Sequence, residues 1–533
     1  MADSRGLPAL DDMMARLEKV LAASPADSTE IAWIEVRRFA AATAAPPTPA
    51  APPTPAIAGG RPDGGRSERG RPERGAAAAP AAAADDRRDH RERRERTLLF
   101  RVRQGGRTGL HRTGACEPSE LENAMRDALA QARLAPASPA EPLAGTERRG
   151  ESSPGGAGAD AAGESPYHDP ALAELDVPRA REILAAARAN AAGPPSPDPS
   201  DIAESLQLTW LEARVVVANS AGLRRSASVT AASVAAASGH GAGAGSDTAA
   251  ARRLSALDVG GALERARLRR APAGPASATS PTSPASPASP WDAAGETEIP
   301  LVLSEQSAAR LLDLLNRHAL SAAAMREGTS WLCGRLGEGA FAPCISLSDD
   351  GADPLCLPFP FDLAGWPKRR VDLVGGGIFL TPAVDARLAQ EIGRPPTPHS
   401  MAPDESIAAN LLLHAGDAGA GNAAAPPATV ALLHQAEAGL WIGALDAVEC
   451  YDPRRLRFRA IARGVRRIAG GELAGGLPDL IWDDSLPAVL ARATALGDRP
   501  LAIPTGDILF GAIAAPLLAV RGAAANFANL AAR

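Results

Sequence analysis

The sequence predicts an α+β protein in two parts: an N-terminal domain of mixed helices and strands over 1–290, and a C-terminal β-rich, barrel-like domain over 291–533. Three observations carry that expectation. The first is length, because 533 residues exceed what one hydrophobic core usually serves. The second is a change of pattern near Pro300: helical spacing and strand-like runs mix before it, and short apolar runs punctuated by Gly, Pro and Asp follow it. The third is a set of Ala/Pro/Gly-rich stretches at about 41–96, 135–166, 236–251 and 271–290, which lack the apolar mass to offset chain entropy. They are expected to be disordered insertions that loop out of the N-terminal domain.

Each element follows from local pattern. Leu10, Met13, Met14, Leu17, Val20 and Leu21 fall on one stripe of a helix over 9–23. Residues 31–39 and 97–102 read as strands, and Gly105-Gly106 turns the second toward 108–113. Ser119 and Glu122 suggest a capping box for a helix over 120–134, and 177–192 is a further, alanine-rich helix. A strand over 215–218 runs into the turn Asn219-Ser220-Ala221-Gly222. Beyond Pro300, a strand over 301–303 precedes a helix over 305–320, with Ala308, Leu311, Leu312 and Leu315 on one face. Short strands are then expected at 371–374, 377–380, 429–433, 440–443, 457–462 and 517–520, with a late helix over 487–495.

Composition excludes several classes of function. Aromatics make up only 3% of the chain and alanine supplies much of its 45% hydrophobic content, so the core must rest on Leu, Ile and Val. Net charge is a mild -6, and the arginines of the run 87–96 interleave with Asp85, Asp86, Asp89, Glu92 and Glu95. That field largely cancels, so nucleic acid is not indicated. Five dispersed cysteines with no CxxC pair support neither a zinc ribbon nor a disulfide framework, and fit reduced thiols in the cytoplasm. The N-terminus lacks the basic and apolar regions of a signal peptide, and the apolar run 508–520 is too short to span a bilayer. A soluble, cytoplasmic protein without membrane attachment is expected. No Walker loop, nucleophile elbow or dinucleotide-binding glycine loop is present; Gly375-Gly376-Gly377 lies between strands, not before a helix.

Motif order then adds what periodicity cannot. The strand pair and helix over 97–134, VVVANSAG (215–222) and IPLVLSEQSAARLL (299–312) come first. SDDGADP (348–354) and FDLAGWPKRRVDLVGGGIFL (361–380) follow, then NLLLHAG (410–416), GLWIGAL (439–445), LRFRAIARGVRRIAGGELAG (456–475) and Leu496-Gly497-Asp498. In this order the segments resemble the TldD/PmbA family, in which a zinc peptidase works with a partner subunit. The resemblance marks Asn219, Gly222, Asp362, Gly365, Asn410, Gly416 and Gly464 as family-motif structural positions. Leu363-Ala364 stand where the family carries an acidic pair, a departure.

The resemblance also implies a zinc site that this sequence lacks. The family's peptidase subunit binds zinc through H-E-x-x-x-H on a helix, with a downstream cysteine as a further ligand. Laid onto the helix over 305–320, the first histidine becomes Asp313, the glutamate becomes Leu314, and only His318 remains. Leucine cannot take a proton from water, and GDILFGAIAAP (506–516) has no cysteine. Asp313 and His318, five positions apart on a regular helix, are expected to diverge. The expectation is therefore no metal, no cofactor and no catalytic residue in this chain. It would be a non-catalytic partner, closer to the PmbA/TldE subunit, of a zinc-bearing TldD-like homologue acting on peptides in intracellular proteolysis. A peptidase active through an unrecognised site, and a non-enzymatic binding or scaffold protein, are the alternatives.

Overall fold

The computed structural model describes residues 9–43, 92–114, 116–137, 143–145, 165–191, 204–239, 244–270, 298–402, 405–415, 429–523 and 526–529. The expected insertion at 271–290 lies outside these residues, as do most of 135–166 and the span 44–91.

The first half is built on one antiparallel six-stranded sheet. Its strands are β1 (Ser28–Ala42), β2 (Arg93–Gln104), β3 (Arg107–Thr113), β4 (Glu204–Asn219), β5 (Arg224–Ser238) and β6 (Gly245–Ala251), in the order β3-β2-β1-β4-β5-β6. Register places Trp33 of β1 between Leu98 of β2 and Val216 of β4. Because side chains alternate along a strand, two separate layers follow. Ile31, Trp33, Leu98, Phe100, Val216 and Ala218 face α1 (Leu10–Ala23) and α2 (Pro118–Leu134), meeting Met13, Leu17 and Leu121. Further along the same face, Leu206, Leu208 and Trp210 meet α4 (Val177–Asn190) and α5 (Val259–Arg269), with the short α3 (Pro170–Ala173) beside them. Ala32, Ile34, Val36, Leu211, Ala213, Val215 and Val217 form the opposite face, which packs on Phe359, Phe361, Ile508 and Leu509 of the second half. A sheet covered on both faces explains the unbroken apolar run Val215-Val216-Val217-Ala218.

Several expectations are corrected here. The stretch 236–251 is not a disordered insertion: β5 runs to Ser238, β6 starts at Gly245, and the two pair from Ala232↔Ala251 to Ser238↔Gly245. Alanine has little strand propensity of its own, but its small side chains let α5 lie close on this hairpin. At Gly245 an added Cβ would fall 2.0 Å from the Ala266 carbonyl oxygen of α5. The insertion expected at 41–96 is likewise trimmed at both ends, since Ala41 and Ala42 belong to β1 and Arg93–Arg96 to β2. Helix α2 starts two residues earlier than expected, and its capping box is formed by Glu117 and Glu120 instead of Ser119 and Glu122. Pro118 occupies its first turn and Glu120 Oε2 accepts from the Glu117 and Cys116 amides, each at 3.1 Å.

The second half is β-rich as expected, in three larger sheets. One orders Glu472–Gly476, Arg466–Ala469, Ala438–Ile442, β7 (Glu298–Leu303), Leu518–Ala523 and Ala493–Leu496, with Ala438–Ile442 parallel to β7. Another orders Ile378–Phe379, Val371–Gly375, Ser346–Asp349, Leu411–His414, Ile513–Ala515 and Leu501–Ile503. The third is an antiparallel set of Ala444–Asp452, Arg457–Arg463, Leu480–Ser485 and Phe527–Asn529. None closes into a barrel, because each ends in two different edge strands. The helix α6 (Glu305–Leu315) packs against both Ala444–Asp452 and Ile513–Ala515, and so fills the space between sheets. Two further readings change: 429–433 belongs to the helix Thr429–Ala436, and the late helix stops at Ala491, followed by the strand Ala493–Leu496. No helix among the described residues is long and apolar enough to cross a membrane.

Candidate functional site

Helix α6 opens on Ser304, whose Oγ accepts from the Ser307 amide at 3.1 Å, and buries Ala308, Leu311, Leu312 and Leu315. It then departs from α-geometry. Residues Asn316–Leu320 form a π-helical turn, so the expected regular helix over 305–320 is replaced by α6 and a wider turn. Such turns frequently sit at functional sites. The widened turn undoes the divergence expected of residues five apart: Asp313 and His318 line the same cleft, of about 420 Å³. Leu314, Arg310 and Arg317 line it from the helix side, and Leu445, Asp446 and Cys450 from the strand Ala444–Asp452. A second cleft of about 340 Å³ shares Arg310, Leu445 and Asp446 with it, and extends past Gln306 to Gly245, Thr248 and Gly464.

The donor set of the first cleft does not suit zinc. Both carboxylate oxygens of Asp313 accept from Arg317 Nε at 3.1 Å, so its charge is already matched. Leu314 is an apolar side chain only 6% exposed. Burial, followed by the charge of Arg317, pushes the His318 imidazole below its ordinary pKa, against the pull of Asp313. Cys450 shares the cleft, yet no group of three or more His, Cys, Asp or Glu is placed to hold a metal ion among the described residues. At positions 313, 314 and 317 the cleft thus presents an ion pair and a buried leucine.

Of the positions that the resemblance marks, Asn219, Gly222, Asp362 and Gly365 sit in two turns, one in each half, that meet at Leu223. Asn219 Oδ1 accepts from the Ala221 and Leu223 amides at 3.0 and 3.1 Å, and its Nδ2 donates to the Ala144 carbonyl at 2.9 Å. Gly222, at φ +94°, completes that turn with a conformation other residues rarely adopt. Asp362 makes a matching turn: its Oδ1 accepts from Ala364 and Trp366 amides at 3.1 and 2.8 Å, and its Oδ2 from Ser400 at 3.0 Å. The two turns touch. At Gly365, φ +92°, an added Cβ would lie 2.1 Å from Leu223 Cδ2. Asn410 Nδ2 donates to the Cys356 and Leu357 carbonyls at 2.7 and 2.9 Å. Gly464, at φ +57°, lies on the second cleft, and Gly416 lies outside the described residues.

Burial pushes the Asp362 carboxyl up to about 7, against the Ser400 and Trp366 amides that pull it down. A raised carboxyl contributes stability that is complete below its unfolded pKa, near 4, and is lost as pH rises through about 7. The Asp362→Asn variant cannot titrate here, so its stability deficit relative to the wild type should shrink as pH rises from 4 to 7 and then level off. Urea melts at a series of pH values check this; a deficit that widens over that window would reverse the assignment.

Two constellations were not among the candidate site residues. Arg252, fully buried between β6 and α5, donates from all three nitrogens to five main-chain carbonyls. These are Pro358 (2.9 Å), Thr230 (3.3 Å), Ile508 (3.1 Å), Leu357 (2.9 Å) and Leu509 (2.7 Å). Four of the five belong to the second half. Burial pushes its guanidinium down to about 9, with Asp507 opposing, so it remains charged at neutral pH. The second constellation surrounds Asp349, whose Oδ2 lies 3.3 Å from both Lys368 Nζ and His399 Nε2, while Oδ1 accepts from the Asn410 amide at 2.7 Å. Against the cost of burial, Lys368 and His399 hold this carboxyl well below the usual carboxylate range.

The comparisons with known proteins agree with this architecture. Residues 296–526 match the family model described as the PmbA/TldA metallopeptidase C-terminal domain. No curated protein matches in sequence. Among solved structures, TldE from Thermococcus kodakarensis superposes with a TM-score of 0.68 at 18% identity, covering 96% of this chain and 100% of that one. A candidate modulator of DNA gyrase from Thermotoga maritima gives a TM-score of 0.66 at 17% identity, covering 96% and 99% of the two chains. Another, from Bacteroides thetaiotaomicron, gives 0.66 at 16% identity, covering 98% and 99%. At these identities the structures speak for the fold, and the family model speaks for descent. Residues 296–526 thus place the C-terminal region in the PmbA/TldA metallopeptidase-related family, and over nearly its whole length the chain shares the fold of the TldE structure.

Proposed function

We propose that this chain is a non-catalytic, PmbA/TldE-type partner subunit for a zinc-bearing TldD-like homologue with an intact H-E-x-x-x-H motif, acting on peptides in the cytoplasm. The observation that carries the reading is the state of the motif helix. Its π-turn still brings positions 313 and 318 to one cleft. Yet Asp313 is tied through both oxygens to Arg317, and the position of the general base is the buried Leu314. A scaffold kept in this form is useful if it completes the shell and channel around another chain's site. On this reading, 1–290 and 291–533 are the two domains, and a heterodimer is preferred to a self-assembled oligomer.

The test on the isolated chain is metal content and activity. Tag-free protein should hold far less than stoichiometric zinc and cleave no peptide. Stoichiometric zinc, together with cleavage lost on chelation, would overturn the proposal.

A further inference from the structure

The clefts on either side of Arg310 are rich in charge, and most of it is held in ion pairs. Arg317 is held by Asp313 at 3.1 Å. Arg463 Nε lies 2.5 Å from Asp446 and its Nη1 2.8 Å from Asp479. Arg269 is buried between Asp247 and Glu305, tying α5 and β6 to α6. Arg310 differs from these three. It lines both clefts where they meet, is exposed, and has no carboxylate partner among the described residues. The histidine beside it, His318, is biased toward its neutral form by burial, so it neither competes for an anion nor repels a cation.

An exposed guanidinium without an ion-pair partner, set where two clefts of about 420 and 340 Å³ share their lining, is suited to one chemistry. We propose that Arg310 is the anchor for a carboxylate of a peptide ligand, supplied either by its C-terminus or by an Asp or Glu side chain. The inference rests on the partner-subunit reading above, and gives that reading a substrate class: peptides presenting a free carboxylate to this wall of the channel. A guanidinium reads a carboxylate through two parallel N–H donors, which an ammonium or an amide cannot reproduce. The neighbouring carboxylates are themselves bound, Asp313 to Arg317 and Asp446 and Asp479 together to Arg463, which leaves Arg310 as the guanidinium of the two clefts with no ion-pair partner among the described residues.

The test uses the full chain and fluorescence anisotropy with a labelled, unstructured peptide in three forms: free C-terminus, amidated C-terminus, and amidated C-terminus with an added internal glutamate. The carboxylate-bearing form should bind about tenfold more tightly than its uncharged counterpart, and more weakly as salt is raised. Preference for the free C-terminus identifies an α-carboxylate, and recovery by the internal glutamate identifies a side chain. In Arg310→Gln the advantage should disappear while the uncharged peptide keeps its affinity, an outcome that general unfolding would not produce. Equal affinity for all three forms, no binding of any form, or an advantage that survives in Arg310→Gln overturns the proposal. Complex formation with the zinc-bearing homologue is read separately, so loss of the carboxylate preference leaves the partner-subunit reading standing.

Discussion

Replacing Arg252 with Met should destabilise the protein by about 3–5 kcal/mol, the range for removing one side of a buried charged network. The variant keeps much of the side-chain volume, so the loss isolates the five hydrogen bonds to Pro358, Thr230, Ile508, Leu357 and Leu509. A buried carbonyl left without a donor costs about 1–3 kcal/mol, although water reaching the site would relieve part of a fivefold sum. Arg252→Lys should recover little, because an ammonium has fewer donors and cannot span carbonyls arranged around a planar fork. The change should be seen as a lower urea midpoint, and as earlier loss of contact between the first sheet and the segments near 357 and 508 in hydrogen exchange. A midpoint within about 1 kcal/mol of the wild type would mean that the clasp between halves lies elsewhere.

Asp349→Asn should cost about 3 kcal/mol, for a different reason. Asparagine keeps an acceptor for the Asn410 amide, but it removes the charge facing Lys368, whose side chain is only 2% exposed. The unpaired ammonium is then the source of the penalty. Adding Lys368→Met in the same chain should restore much of the lost stability, since neither position then leaves a buried charge unpaired. If the double variant is no better than the single one, the penalty arises from geometry around Asn410 instead of charge.

Much of the fold could be read in the sequence because the core follows strong periodicities. The stripe of Met13, Leu17 and Leu21, and the run Val215–Val217, sit where their patterns place them. What escaped were elements whose residues have weak intrinsic preference and draw their structure from neighbours. The alanine-rich β5 and β6 are strands because β4 pairs with one of them and α5 packs close on their hairpin, neither of which is visible in 224–251 alone. The helix Thr429–Ala436 escaped because a short apolar run has no periodicity to separate it from a strand.

The candidate site was legible in part. Asp313, Leu314 and His318 were found by laying a motif on a helix, but a π-turn has no signature in residue spacing, so their common cleft was not. Asn219, Asp362 and Asn410 sit in glycine-marked or turn-forming segments, and they serve as hydrogen-bonding hubs of those turns. Arg252 and Arg310 gave no signal at all. An arginine among 56 basic residues looks like any other until the fold surrounds it with carbonyls or leaves it unmatched in a cleft.

The most direct measurement is co-expression of this chain with the H-E-x-x-x-H homologue from the same genome, followed by size-exclusion chromatography with peptidase assay of the fractions. The account predicts that the two chains co-elute as one complex, and that activity peaks with the complex and not with either chain alone. Equal activity from the homologue by itself, with this chain eluting separately, would contradict the partner-subunit assignment.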